Sequence, residues 1–137
     1  MSKAVTRPGA WRLILAAIVL SVAASGCGPS LIKPKGHVVK NGTPLTFNKS
    51  EMLDIAFYPD DGSDEFYASV KPQDGNFIVL GRKGKGIPPG TYRVAVGLTK
   101  GSSQRDVWKG KFSKANSPFT FDLTSDKEEI VIDLGKE

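Results

Sequence analysis

The sequence predicts an all-β domain, an antiparallel sandwich, behind an N-terminal export signal. Three observations predict it. Apolar residues alternate with polar ones at period two in segment after segment from Gly36 onward. Turn dipeptides separate those segments at close spacing. No segment after residue 35 shows helical periodicity.

The first 26 residues stand apart by composition. Lys3, Arg7 and Arg12 supply positive charge with no acid among them, and Leu13–Ala24 is a run of small and apolar residues broken only by Ser21. Twelve residues fall short of the ~20 a helix needs to cross a bilayer core. A basic start, a short apolar helix and small residues at its end describe a secretory signal. Ala24-Ser25-Gly26-Cys27 then resembles a lipobox, in which the Cys27 thiolate takes a diacylglyceryl group, although Ala24 stands where Leu is commonest. Two acyl chains anchor stably where one binds only marginally. Cys27 is the only cysteine, so once acylated it leaves no thiol for a disulfide or metal. Gly28 follows the cysteine where some bacteria place an Asp that retains lipoproteins in the inner membrane; inner and outer membrane both stay open. The expected organisation is signal peptide 1–26, lipidated tether 27–35 and β-domain 36–137.

Charge excludes one function class. All 14 acidic residues lie beyond residue 26, whereas three of the 19 basic residues lie before it, so the overall +5 falls to about +2 in the mature segment. Nucleic-acid binding has no electrostatic footprint here.

The elements follow in order. Gly28–Lys35 holds two prolines and no periodic pattern, and reads as a tether of at most about 28 Å. Val38 marks the first strand. Leu53, Ile55 and Phe57 alternate with Asp54 and Ala56; Phe66, Ala68 and Val70 alternate with Tyr67, Ser69 and Lys71. Phe77 and Val79 form a short strand, and Tyr92, Val94, Val96 and Leu98 a long one. Phe119, Phe121, Leu123 and then Ile130, Ile132, Leu134 close the series. Asn41-Gly42, Asp61-Gly62 and Asp74-Gly75 are the turns between them, and Pro88-Pro89-Gly90 breaks the chain before Thr91. Gly101–Ser117 is the least regular stretch, with an extra short strand expected around Trp108–Phe112.

The series Gly36-x-Val38…Asn41-Gly42-x-Pro44-Leu45, Asp74-Gly75-x-Phe77 and Gly86-Ile87-Pro88-Pro89-Gly90-x-Tyr92 resembles the ordered motifs of carboxypeptidase-regulatory-like domains. Nearly all of residues 27–137 is similar to small single-domain bacterial lipoproteins built on that module, down to Gly110-Lys111-Phe112-Ser113…Asn116-Ser117-Pro118 and the terminal Ile132-Asp133-Leu134. The resemblance implies a transthyretin-like (prealbumin-like) seven-stranded antiparallel sandwich. Its motifs are turn chemistry, which speaks for fold more than function. The zinc site of the family's namesake peptidases lies on another domain, and nothing here matches it.

Candidate chemistry is sparse. His37, the only histidine, points outward by alternation and lacks companion ligands or a positioned partner in sequence. Asp60–Glu65 has the carboxylates for Ca²⁺, but Gly62 falls where an EF-hand needs an oxygen ligand and no Glu stands at the twelfth position, so it reads as a solvated hairpin loop. Gly81–Gly86 is glycine-rich and basic, yet it leads into Ile87-Pro88-Pro89 rather than a helix, which rules out a P-loop. Arg82, Lys83 and Lys85 instead suggest a cationic loop able to meet anionic lipid or acidic polysaccharide. Trp108, Phe112 and Tyr67 form either a sugar-stacking platform or, for the first two, a cover over the core. A Lys40–Asp133 pair is a nominal candidate for an isopeptide crosslink, disfavoured because Asp133 points away from the core. No nucleophile–base pair or metal set is visible, and no cofactor is expected. The sequence therefore predicts a non-enzymatic envelope lipoprotein, periplasm-facing or at the surface. Its membrane contact is diacylglyceryl-Cys27, and its partner an envelope protein or glycan. The alternative is a glycan- or cation-binding module using its loops.

Overall fold

The computed structural model describes Gly28 and residues 30–136; Cys27 and the stretch expected to be a signal peptide lie outside them. Among the described residues no helix is long and apolar enough to cross a membrane. The chain is all-β. Its strands are β1 (Lys35–Lys40), β2 (Thr43–Pro44), β3 (Glu51–Pro59), β4 (Phe66–Val70), β5 (Asn76–Val79), β6 (Gly90–Lys100), β7 (Thr120–Leu123) and β8 (Glu129–Asp133). All seven expected strands are present, joined by the two-residue β2.

One sheet runs β8–β1–β5–β4–β3–β6–β7. β2 follows β5 along the same edge of β1, because Val38 donates to Gly75 and accepts from Leu45 on that side. Asn41 and Gly42 both have positive φ, 52° and 78°, the backbone that a two-residue hairpin turn requires. Six interstrand steps of about 4.8 Å would hold the sheet's two ends ~29 Å apart if it were flat. The chain from Leu123 to Glu129 reaches at most about 21 Å. The sheet must therefore curl. Apart from the β1–β2 hairpin, its narrowest ladder is β3–β4, with only Ala56↔Tyr67 and Phe57↔Phe66 in register, against nine pairs between β3 and β6.

The curl closes one face of every main strand onto a single core. Val38, Ile55, Phe57, Val79, Val94 and Ile132 are fully buried there, and Phe57 meets Phe77 and Tyr92 at ring-centroid distances of 6.1 and 6.3 Å. Burying each such side chain contributes about 1.5–3 kcal/mol. Alternation located these residues correctly, with Ala56 an exception. It lies on the outer face yet is buried, a methyl group opposite the much longer Tyr67.

Three expectations need correction. The stretch assigned to a tether is part of the fold from Ile32 onward. Ile32 and Pro34 are buried, Ile32 and Ile87 exchange two backbone hydrogen bonds of 2.8 and 2.7 Å, and β1 begins at Lys35. The β1–β8 pair is parallel. The 124–128 loop leaves β7 at the end where Leu123 pairs Gly90, so β8 must start beside Lys35. Gly36 permits that approach, since a Cβ there would overlap the Ile130 carbonyl. Finally, Trp108–Phe112 forms turns rather than a strand.

Candidate functional site

The strand directions sort the loops onto two ends. At the end marked by Ile32 and Ile87 lie the 60–65, 81–90 and 124–128 loops. At the other lie the 41–42, 48–50, 71–75 and 101–107 connections. Ten residue steps along β6, about 33 Å, separate them.

At the first end the two charged loops meet. Arg82 forms an ion pair with Asp64, so the basic loop is bridged to the acidic one instead of standing free. Asp61 accepts from the Ser63 hydroxyl at 2.6 Å and the Ser63 amide at 2.8 Å, which together hold its carboxyl below the usual range. Two of the four acids are thereby turned onto the protein's own donors. Among the described residues no three His, Cys, Asp or Glu side chains converge as metal ligands. A cleft of roughly 340 Å³ runs between the loops, lined by Leu31, Asp64, Phe66, Arg82, Lys85 and Pro88.

His37 is where alternation placed it, on the outer face of β1, but it has a partner. Its Nδ1 lies 3.1 Å from Glu129 of β8, a contact the parallel register creates by setting Lys35 opposite Glu129. The pair borders a shallow cleft of about 370 Å³ that also includes Phe119, Phe121, Val131 and Asp133. Asp133 Oδ1 accepts from the backbone N–H groups of Asn41 and Gly135, both at 2.9 Å, and so caps the β1–β2 turn. That structural task is what the Asp133 carboxylate does here.

The aromatic candidates separate. Phe112 is buried and stacks on Phe119 at 5.6 Å, with the half-buried Trp108 edge-on at 5.6 Å on its other contact. They cover the core. Tyr67 is exposed, on another part of the sheet. No common platform forms.

The residue that sequence reasoning missed is Asp106. Beyond β7 the free edge of β6 carries unpaired amides, and the irregular 101–119 segment satisfies them without becoming a strand. Val96 donates to Phe112, Val94 to Phe119, and Ser117 Oγ donates to the Val94 carbonyl. Asp106 Oδ1 accepts from Leu98 at 3.0 Å and Trp108 at 3.1 Å, and Oδ2 from Gly110 at 2.8 Å. Burial opposes its ionisation, but these three amides outweigh it and hold the carboxyl below the ordinary value. The caged loop borders a cleft of roughly 760 Å³, lined by Lys100, Ser103, Arg105, Val107 and Lys109. Lys100 pairs with Glu51 at 2.8 Å, and that bond, with the Asn48 amide, lowers the Glu51 carboxyl.

Compared with protein families, characterised proteins and solved structures, the chain matches none. The chemistry of its own surface carries the functional argument.

Proposed function

We propose that the chain is an exported lipoprotein, anchored through diacylglyceryl-Cys27, whose β-domain is a non-enzymatic structural or protein-interaction module of the cell envelope. One observation carries the reading. The folded body begins at Ile32, five residues after the chain's single cysteine, which itself closes a signal-like segment. Those five steps span at most about 17 Å. An anchored domain would therefore keep its Ile32–Ile87 end against the bilayer and hold the opposite end outward. We read the curled sheet as a transthyretin-like sandwich of two layers. Its seven-strand order, single apolar face and narrow β3–β4 corner support that, and layers about 10 Å apart in an experimental structure would test it.

Processing is the decisive experiment. Mass spectrometry of the mature protein is expected to find Cys27 at its N-terminus with diacylglycerol on the sulfur, and Cys27→Ser is expected to accumulate as uncleaved precursor. A soluble mature chain starting elsewhere would overturn the anchor. The second reading, a glycan-binding module, is favoured by the cationic cleft beside Asp106.

A further inference from the structure

We infer that the end of the domain remote from Ile32 is a binding surface for a polyanionic glycan, a polymer bearing repeated carboxylate or phosphate groups, with Arg105 and Lys109 on the rim of its cleft. The inference deepens the glycan-binding reading and rests on it.

Charge is divided unevenly between the two ends. At the Ile32 end, Arg82 and Lys85 share one cleft with Asp64, and Lys33, Lys35, Lys83 and Lys127 are outnumbered by Asp60, Asp61, Glu65, Asp126, Glu128 and Glu129 in the adjoining loops and strand starts. Cations have no excess there. At the remote end, Lys40, Lys49, Lys71, Arg105 and Lys109 are exposed, and among the described residues their side chains have no ionic partner. The acids of that end are occupied. Glu51 holds Lys100, Asp74 accepts from the Asn76 amide and side chain, Asp106 takes three amides, and Asp133 takes two. Asp54, three residues into β3, remains exposed on the outer face. Anions attracted to this end thus meet cations among carboxylates that, Asp54 apart, already hold other donors.

The cleft gives the charge a shape. Lys100, Arg105 and Lys109 rim it, Ser103 adds a hydroxyl, and the exposed Val107 supplies an apolar floor. The Asp106 cage fixes the loop, so little ordering entropy remains to be lost on binding. Cations spread over the neighbouring turns suit an extended polymer that makes several weak contacts at once better than a compact anion. Arg105 can take a carboxylate or phosphate two-pronged, whereas the lysines act as point charges.

The test uses the full chain in neutral detergent, with polygalacturonate and polyphosphate as probes for the two anionic groups and dextran as the uncharged control. At low salt the wild type is expected to bind one or both polyanions and not dextran, with affinity falling steeply as screening shortens toward about 8 Å. Arg105→Ser with Lys109→Asn is expected to lose at least about tenfold in affinity at an unchanged melting temperature; Asn suits the left-handed backbone of Lys109, φ 54°. Arg105→Lys with Lys109→Arg keeps the charge and is expected to retain binding. Lys83→Ser with Lys85→Ser, at the other end, is expected to stay within about twofold. Absence of polyanion binding at low salt, or equal loss in the two charge-removing doubles, overturns the inference. So does capture by anionic vesicles that the Arg105/Lys109 double alone abolishes, since the surface would then belong to a bilayer. Cys27→Ser reports separately. It is expected to bind the polymers normally, so failure of the anchor and failure of this surface are distinguishable.

Discussion

Asp106 shows how one side chain can replace a strand. The edge of β6 above Arg93 needs acceptors for its amides, and a carboxylate can serve several donors at once where a backbone carbonyl serves one or two. Asp106→Ala orphans the Leu98, Trp108 and Gly110 amides, part-buried donors whose loss of partners costs about 2 kcal/mol even with some access of water. Chemical denaturation should show that loss, with the near-UV signal of Trp108 weakened. The pH dependence has a definite sign. The folded carboxyl titrates below its ordinary value of 3.8, so the unfolded chain binds its proton first as pH falls. The stabilisation is therefore complete above the ordinary value and is lost as pH drops through the lower, folded one. The gap in melting temperature between wild type and Asp106→Asn should accordingly narrow below about pH 4. A gap that stays constant from pH 7 to pH 2.5 would mean that the carboxylate charge contributes nothing. Nothing in the sequence distinguishes Asp106 from an ordinary loop aspartate, because its role depends on amides that only the folded β6 edge presents.

Strands were legible wherever one face meets the core and the other meets water. Phe77 and Tyr67 illustrate the two outcomes on adjacent strands, with exposures of 4% and 59%. Phe77→Asp would bury an unpaired charge beside Phe57 and is expected to abolish cooperative unfolding at 25 °C. Tyr67→Asp is expected to cost less than about 1 kcal/mol, as surface substitutions usually do. Comparable denaturation midpoints for the two would invalidate the assignment of faces. Elements defined by distant partners were not legible. The 101–119 segment carries aromatic residues at a spacing that suits a strand, yet its amides and carbonyls answer to β6 one group at a time, leaving a chain of turns. The direction of β8 was equally hidden, since alternation looks the same for parallel and antiparallel pairing. Ile32 escaped notice because one apolar residue between lysine- and proline-rich neighbours has no period; its signal is the matching Ile87 on a loop 55 residues away.

At the scale of the whole molecule the strand order gives the domain a lengthwise polarity. The chain enters beside Ile87, and the charged residues divide between that end and the remote one so that the small positive excess of residues 27–137 collects far from the entry point. Basic residues next to a lipid anchor ordinarily strengthen membrane binding. In this arrangement Arg82 is neutralised by Asp64, and the Ile32 end would contribute little to the bilayer beyond the acyl chains and the exposed Leu31 and Leu80. Tryptophan placement makes the orientation measurable. The chain has two tryptophans, Trp11 and Trp108, so the proposed removal of residues 1–26 would leave Trp108 alone. It stands level with Leu98, eight residue steps along β6 from Gly90, or about 27 Å from the entry end. In vesicles containing brominated lipid, the fluorescence of the anchored protein is therefore expected to remain unquenched. Leu80→Trp, in a Trp108→Phe background, places the only indole at the entry end and is expected to be quenched strongly. Quenching of Trp108 in the wild type would mean that the domain lies on its side or stands inverted, with the Arg105–Lys109 cleft turned toward lipid instead of toward the polymer it is inferred to bind.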